Sequence, residues 1–397
     1  MMASQTQVSG AEPARASWIN DPKFRGIFFQ LVVAAAIIAF VWWIVGNTTE
    51  NLRRANIASG FGFLNGRSGF DLSQSLIAYS SNSTFGRALV VGLLNTMLVA
   101  VTGIITATIV GFIVGIGRLS KNWLIARICT VYVEVFRNIP PLLVIFFWYL
   151  GVLSVLPGPR DSVDLPLGSY LNNRGLFLPR VIWDQAAWVI PVSIAAAIIA
   201  IVAIGIWARR RQAATGRIFP MFRVGLAIFI GLPVITYFLA GSPATVELPE
   251  LSTFNIRGGW TIRPEFLSLY LALSFYTASF IAEIVRAGVL GVSKGQSEAA
   301  YSLGLSPRRT LRLVVVPQAL RIIIPPLTSQ YLNLTKNSSL AIAVGYADLV
   351  AIGQTTMNQT GQAIEVVAIW MVVYLGLSLL TSGFMNWYNA KMALVER

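Results

Sequence analysis

Eight stretches of the chain stay apolar for about the 20 residues that a helix needs to cross a hydrocarbon layer of roughly 30 Å. They run over residues 26–45, 88–116, 138–156, 187–207, 223–241, 266–287, 321–345 and 363–387. Each predicts a spanning helix, and together they predict an all-α, polytopic membrane protein. The first stretch lies too far from the start to be a secretory signal. It is also too long and lacks a small-residue cleavage site, so it reads as a retained anchor. Segments 46–87, 157–186 and 242–263 are rich in Gly, Pro, Asn and Ser and read as outer loops with short surface helices. The first 24 residues are small and polar, as in a mobile tail. No internal repeat is visible, and no outer segment is long enough for a binding domain of its own.

Composition agrees. Charged residues are 12% of the chain, against about 25% in soluble domains, which excludes a soluble enzyme. With no histidine and one cysteine, Cys129, the chain holds no His/Cys zinc site, no Ser-His-Asp or Cys-His triad and no internal disulfide. A membrane-embedded enzyme is further disfavoured because no span carries paired carboxylates.

The net charge of +14 invites nucleic acid, but its placement gives another reason. With the N-terminus inside and eight crossings, twenty of the thirty cations and six of the sixteen acids fall on the inner side. The outer side is neutral. This is the positive-inside pattern; both termini are expected in the cytoplasm, and no nucleic acid is needed.

Between the sixth and seventh spans the sequence is heavily punctuated. Ser293 and Gln296 fit a capping box, and Gly304 fits a left-handed stop, predicting a helix over 294–303. Ser306 is an N-cap and Pro307 occupies the first helical position, while Pro317 ends or kinks the segment that they start. A second helix is predicted over 307–316. With Arg308, Arg309 and Arg312 on it, this reads either as a compact knob for docking another protein or as an ordinary helical loop. A DNA-reading helix-turn-helix does not suit a chain held by eight spans.

Polar residues within spans are the candidates for a transport path. Tyr276, Ser279 and Glu283 share one helical face, which would line a pore; Glu283 alternatively pairs with Arg286 or sits at a watery interface. Asn95 and Thr96 either touch a ligand or make a hydrogen bond between helices. Gln330, Asn333, Lys336, Asn337 and Ser338 come after Pro325–Pro326, a pair expected to break the helix. Broken helices mark binding sites in many transporters; Lys336 alternatively snorkels to the outer surface.

The pattern Glu298-Ala299-Ala300, three residues, Gly304, nine residues, then an aliphatic, any residue, an aliphatic and Pro317 resembles the cytoplasmic signature of permease subunits of bacterial ABC importers. Val314 and Val316 stand where Ile and Leu are usual. The surrounding runs from Val135 to Val152, Ser279 to Ser306 and Val316 to Leu349 are similar to the polar amino acid branch, and an eight-span chain resembles its general L-amino acid permease subunits of proteobacteria. The resemblance implies a five-helix core from residues 88–156 and 263–397, with the coupling segment at 290–318. Residues 1–25 are then a tail, 26–87 an added anchor and outer loop, and 157–262 an insertion with two peripheral spans.

It also implies an inner-membrane subunit that imports L-amino acids by alternating access. The chain has no G-x-x-x-x-G-K-[ST] loop, so ATP and Mg²⁺ belong to a partner ATPase dimer and no cofactor is bound here. Further partners are a second homologous permease, forming a heterodimer, a periplasmic amino acid binding protein, and membrane lipid. ATPase contact is assigned to Gly295, Glu298, Ala299, Ala300, Gly304, Ser306, Arg308, Arg312 and Pro317. Asn95, Thr96, Tyr276, Ser279, Glu283, Gln330, Asn333, Lys336 and Ser338 would form a cavity for the amino acid zwitterion. Arg137-Asn138-Ile139-Pro140-Pro141 resembles the turn that orients the second core helix. An ion-gradient-driven transporter is the alternative, and would need intramembrane ion ligands and inverted repeats.

Overall fold

A computed structural model describes residues 22–54, 59–252 and 255–392; most of the expected tail over 1–25 lies outside the described residues. Helix α1 runs Pro22–Arg54 and α2 Phe85–Gly117. Then come α3, Trp123–Asn138, and α4, Pro141–Phe146, which continues as a π turn over Phe147–Leu153. The inserted pair is α5, Val189–Thr215, and α6, Met221–Leu239. The remainder is α7, Pro264–Leu290; α8, Lys294–Ser302; α9, Pro307–Thr310; α10, Val316–Asn337; α11, Leu349–Thr360; and α12, Ala363–Met392. Seven helices among the described residues are long and apolar enough to span, and α3 with α4 makes an eighth unit bent by 111°.

The expected span 138–156 corresponds to α4 and its π turn, Pro141–Leu153, and α3 before it, which carries Arg127, Glu134 and Arg137, meets it at the 111° bend. The bend has a covalent cause: Ile139 is extended (φ −103°, ψ 132°) before Pro140, as a residue preceding proline prefers.

The outer segments meet expectation in part. Short 3₁₀ helices lie at Phe61–Asn65 and Pro159–Asp161, but in the second and third segments β1 (Val163–Leu165), β2 (Ser169–Asn172), β3 (Gly175–Leu178) and β8 (Trp260–Ile262) form one antiparallel sheet that the sequence reading lacks. Between β3 and β8 in sequence lie β4 (Arg180–Trp183), paired with β5 (Ala244–Glu247), and β6 (Glu250–Leu251), paired with β7 (Ile256–Arg257). β3 precedes the inserted helices and β8 comes after them, so the pairing of Leu176 with Ile262 closes the insertion on itself. Short runs such as Tyr170–Asn172 and Gly175–Phe177 (burial alternating on β3) are too brief to stand out among turn residues.

The core is α2 laid along α7, with α10, α3 and α4 packed on the pair. Close approach arises from Gly103, Ala107, Gly111 and Gly115, one every fourth residue of α2, meeting Ser274, Ala278 and Ala282 at the same spacing on α7. A Cβ on Gly111 would sit 2.6 Å from Ile281, and one on Gly115 2.7 Å from the Ala282 carbonyl. Small residues at such spacing bring helix backbones together where lipid offers no hydrophobic drive.

Pro325 and Pro326 do not break α10, which runs unbroken from Val316 to Asn337. The irregular backbone comes later, in a 3₁₀ stretch over Ser338–Val344 and the left-handed Gly345 (φ +76°). Backbone groups buried away from water must be satisfied by protein, and those beyond this stretch are. Asn95 Nδ2 donates to the Ala347 carbonyl (2.8 Å), Thr96 Oγ1 accepts from Leu349 N–H (3.1 Å), and Tyr346 Oη donates to the Asn95 carbonyl (3.1 Å). Asp348, in the connection outside the spans, caps α11 by accepting from Ala351 N–H at 2.8 Å. Its side chain is fully buried, and burial pushes its carboxyl up from 3.8 to about 7.

Gly111→Leu overpacks the α2–α7 contact at a cost of about 1–3 kcal/mol or more, lowering the melting temperature of the purified protein, whereas Gly231→Leu, with nothing within 4 Å, leaves it unchanged. Because the raised folded pKa of Asp348 means extra bound protons in the folded state, its contribution to stability is greatest at acid pH and falls as pH rises through about 7. Asp348→Asn keeps the cap and flattens that dependence in thermal melts at acid and alkaline pH.

Candidate coupling site

The segment between α7 and α10 is a capped elbow. α8 ends in a Schellman turn: Leu305 N–H donates to the Ala300 carbonyl (3.1 Å) and Gly304 N–H to that of Tyr301 (2.9 Å). Gly304, at φ +76°, supplies the left-handed residue this turn requires. Ser293 and Ser306 occupy the N-cap positions as expected, but neither side chain makes a cap hydrogen bond. The expected capping box is absent because Gln296 is engaged elsewhere, its Oε1 accepting from Gln318 Nε2 at 3.2 Å. That bond ties α8 to the base of α10.

The second helix is not separate. After the single turn of α9, the chain passes through a π turn over Leu311–Val315, in which Val316 N–H reaches the Leu311 carbonyl, straight into α10. Pro317 thus lies in the first turn of α10, where its missing donor costs little. The elbow is rigid: α9 and α10 are one rod, and Ala300 and Thr310 are buried where α8 folds back on it.

Outward, the elbow presents Glu298, Ala299, Arg308, Arg309 and Arg312, all exposed and without an ion pair among the described residues. Between these charges stand Tyr301 and Leu303, the latter 82% exposed. Gly295 is exposed and a Cβ there would meet only Ser293 Oγ at 3.6 Å, so the chain's own packing does not require a glycine. A depression of about 350 Å³ flanks the elbow, lined by Leu290, Glu298, Tyr301 and Val315 among others.

The polar residues of the spans fall into three groups. Asn95 and Thr96 hold the 347–349 backbone to α2, so their polar groups serve packing. On α7, Ser279 is buried and donates to the Tyr276 carbonyl of its own helix (2.6 Å), while Tyr276 packs on Phe280. Glu283 is the hub of a charge cluster: it pairs with Arg118 at the end of α2, with Arg286 at 2.6 Å, and with Arg137 at the end of α3 at 4.0 Å. Arg137 also lies over the Phe280 ring at 5.5 Å.

On α10, Asn333 and Lys336 are exposed and Gln330 half-buried along one face, whereas Ser338 is fully buried and donates to the Thr335 carbonyl. The structure therefore does not bring the α7 and α10 candidates into one enclosed cavity within this chain. Arg118, Arg137 and Asp348 are not among the site residues that the sequence singles out. Arg118 and Arg137 are cations at helix ends, a weak signal; the acid of Tyr346-Ala347-Asp348-Leu349 inside an apolar region is a stronger one.

Residues 210–394 match the family model described as the binding-protein-dependent transport system inner membrane component. The chain is 64% identical to the general L-amino acid transport system permease protein AapQ of Rhizobium johnstonii, covering 96% of this chain and 95% of that one. It is 47% identical to the putative amino-acid ABC transporter permease protein YhdX of Escherichia coli, covering 95% and 96%. The glutamate/glutamine/aspartate/asparagine transport system permease protein BztB of Rhodobacter capsulatus is 44% identical over 96% of both. With an all-helical spanning core and an elbow of this sequence between α7 and α10, the chain belongs to the ABC importer permeases, the inner-membrane components of binding-protein-dependent transport systems, within the branch that holds these relatives.

Proposed function

We infer that this chain carries L-amino acids from periplasm to cytoplasm by alternating access, driven by a separate ATPase dimer seated on the 294–316 elbow. The observation that carries this reading is the elbow itself: unpaired charges and exposed Tyr301 and Leu303 on a rod continuous with a spanning helix. A push on α8 passes through the Gln296–Gln318 bond and the buried Ala300 contact into α10. ATP and Mg²⁺ are then bound by the ATPase and not by this chain. The amino acid substrate is supported by the names of the three relatives, and a periplasmic binding protein delivers it.

The path runs between this chain and a second, homologous permease. In support, Gln330, Asn333 and Lys336 line one face of α10 that the chain itself leaves uncovered, and a partner placed there would complete a polar passage. Both termini are cytoplasmic, which accords with eight crossings and the inner excess of cations. The Glu283 cluster ties the inner ends of α2, α3 and α7 into one body that moves with the elbow.

Leu303→Asp and Glu298→Lys change only exposed positions, so the permease pair still purifies. Retention of the ATPase falls about tenfold or more, as for loss of an interface anchor, and ATP-driven uptake in proteoliposomes falls with it. Uptake that persists without an ATPase, on an ion gradient alone, refutes the reading. Glu283→Gln leaves three arginines with only Glu134, 3.9 Å from Arg118, as counter-charge among the described residues; the cost falls between the under ~1 kcal/mol of an exposed pair and the about 3–5 kcal/mol of a buried one. Thermal melts detect it, and adding Arg118→Gln recovers part of the loss.

A further inference from the structure

The inserted hairpin α5–α6 ends in a turn that the transport reading does not use. Arg209, Arg210 and Arg211 lie in the last two turns of α5, Arg217 in the linker and Arg223 in the first turn of α6. All five are exposed. Residues 185–246 contain no Asp or Glu, and none of the five has an ion pair among the described residues. Like charges crowded so closely repel one another, and no ion pair among the described residues offsets that repulsion.

Three features point to the group that does. First, the helices above the turn face lipid: none of the most apolar window of α6 is buried and only 11% of that of α5, and the two pack chiefly on each other. Second, the linker is only Gly216–Pro220, and Arg209 lies about 9 Å along the helix from Thr215, so the cluster stays within a headgroup layer and does not project into the cytosol. Third, the turn is amphipathic in the manner of an interface. Arg211 stacks on Trp207 at 5.2 Å, Trp207 meets Phe219 edge-on at 5.4 Å, and Ile218 and Phe222 are more than 80% exposed. The start of α6 has neither a side-chain cap nor an acid in its first turn; Met221 N–H donates to the Phe219 carbonyl at 2.7 Å, and the positive end of the helix dipole beside Arg223 favours an anion there.

We propose that this turn is a binding surface for anionic phospholipid headgroups of the inner leaflet, whose phosphodiesters lie among the five guanidinium groups while Ile218 and Phe222 enter the acyl boundary. The proposal rests on the cytoplasmic placement of the turn in the proposed eight-span topology. Each arginine near an anionic surface adds on the order of fivefold to binding, so five of them select phosphatidylglycerol strongly over phosphatidylcholine.

The test uses the whole importer complex, delipidated in mild detergent and titrated with each lipid, with bound lipid counted by native mass spectrometry. The parent is expected to prefer phosphatidylglycerol by about tenfold or more, the variant with all five arginines changed to Gln to lose that preference, and the all-Lys variant to keep most of it. On the unaltered complex, photoactivatable phosphatidylglycerol is expected to cross-link within 207–223. Cross-links confined to other segments, or a Gln variant with unchanged preference, overturn the proposal, as does a Gln variant that keeps its lipid but loses the ATPase. A cysteine in place of Ala214, in a Cys129→Ala background, reports topology separately: labelling of the parent by impermeant maleimide from outside the cell overturns the placement of the turn rather than its affinity for phosphate.

Discussion

Burying leucine against leucine gains little when the alternative is lipid, so helices in a membrane are held by close contact and by polar bonds that have no other partner. In this chain the contact that sets all others is α2 against α7. Gly111 and Gly115 leave room for Ile281, Val285 and the Ala282 carbonyl, and the helices approach closely enough for dispersion forces to hold them. α10 is then laid on the pair, with Gly288 meeting Ile323, and α3 and α4 flank α7. Threonine and tyrosine hydroxyls fasten the arrangement across helices, Thr106 to Tyr270 at 2.7 Å and Thr108 to Tyr331 at 2.9 Å.

The two ends of this packed body have different jobs. At one end α7 leads into the elbow and α10 leads out of it, and the cluster around Glu283 binds α2 and α3 to the same place. On the proposed function, force on the elbow would be delivered to the helices with the tightest packing, the condition for moving them together instead of bending one of them. At the other end, the irregular 338–348 segment is held by Asn95, Thr96 and Tyr346, which satisfy backbone groups that would otherwise be stranded in an apolar surround.

The segment from β3 to β8 closes on itself. Its strands of entry and exit meet in one sheet through Leu176 and Ile262, so α5 and α6 leave and return to the rest of the chain at one place. The two helices of the hairpin beyond them pack chiefly on each other and leave most of their apolar surface uncovered by the rest of the chain.

Much of this is legible in the sequence. The long apolar helices, the positions of α8 and Gly304 and the start of α9 at Pro307 come from local rules: the apolar length a bilayer demands, the residues that cap a helix, and the φ that only glycine accepts easily. The stripe Gly103, Ala107, Gly111, Gly115 is also there to be read. What the sequence does not decide is how non-local groups meet. Whether Pro325–Pro326 breaks a helix depends on neighbours that can absorb two missing donors; whether Gln296 closes a capping box depends on Gln318, 22 residues away and 3.2 Å distant. Glu283 has a partner in Arg286 by spacing, but Arg118 and Arg137 reach it only because α2 and α3 converge on α7. Local conformation is set by each residue and its few neighbours, and the sequence determines it; the partner of a buried polar group is set by packing between distant segments, and only the tertiary structure decides that.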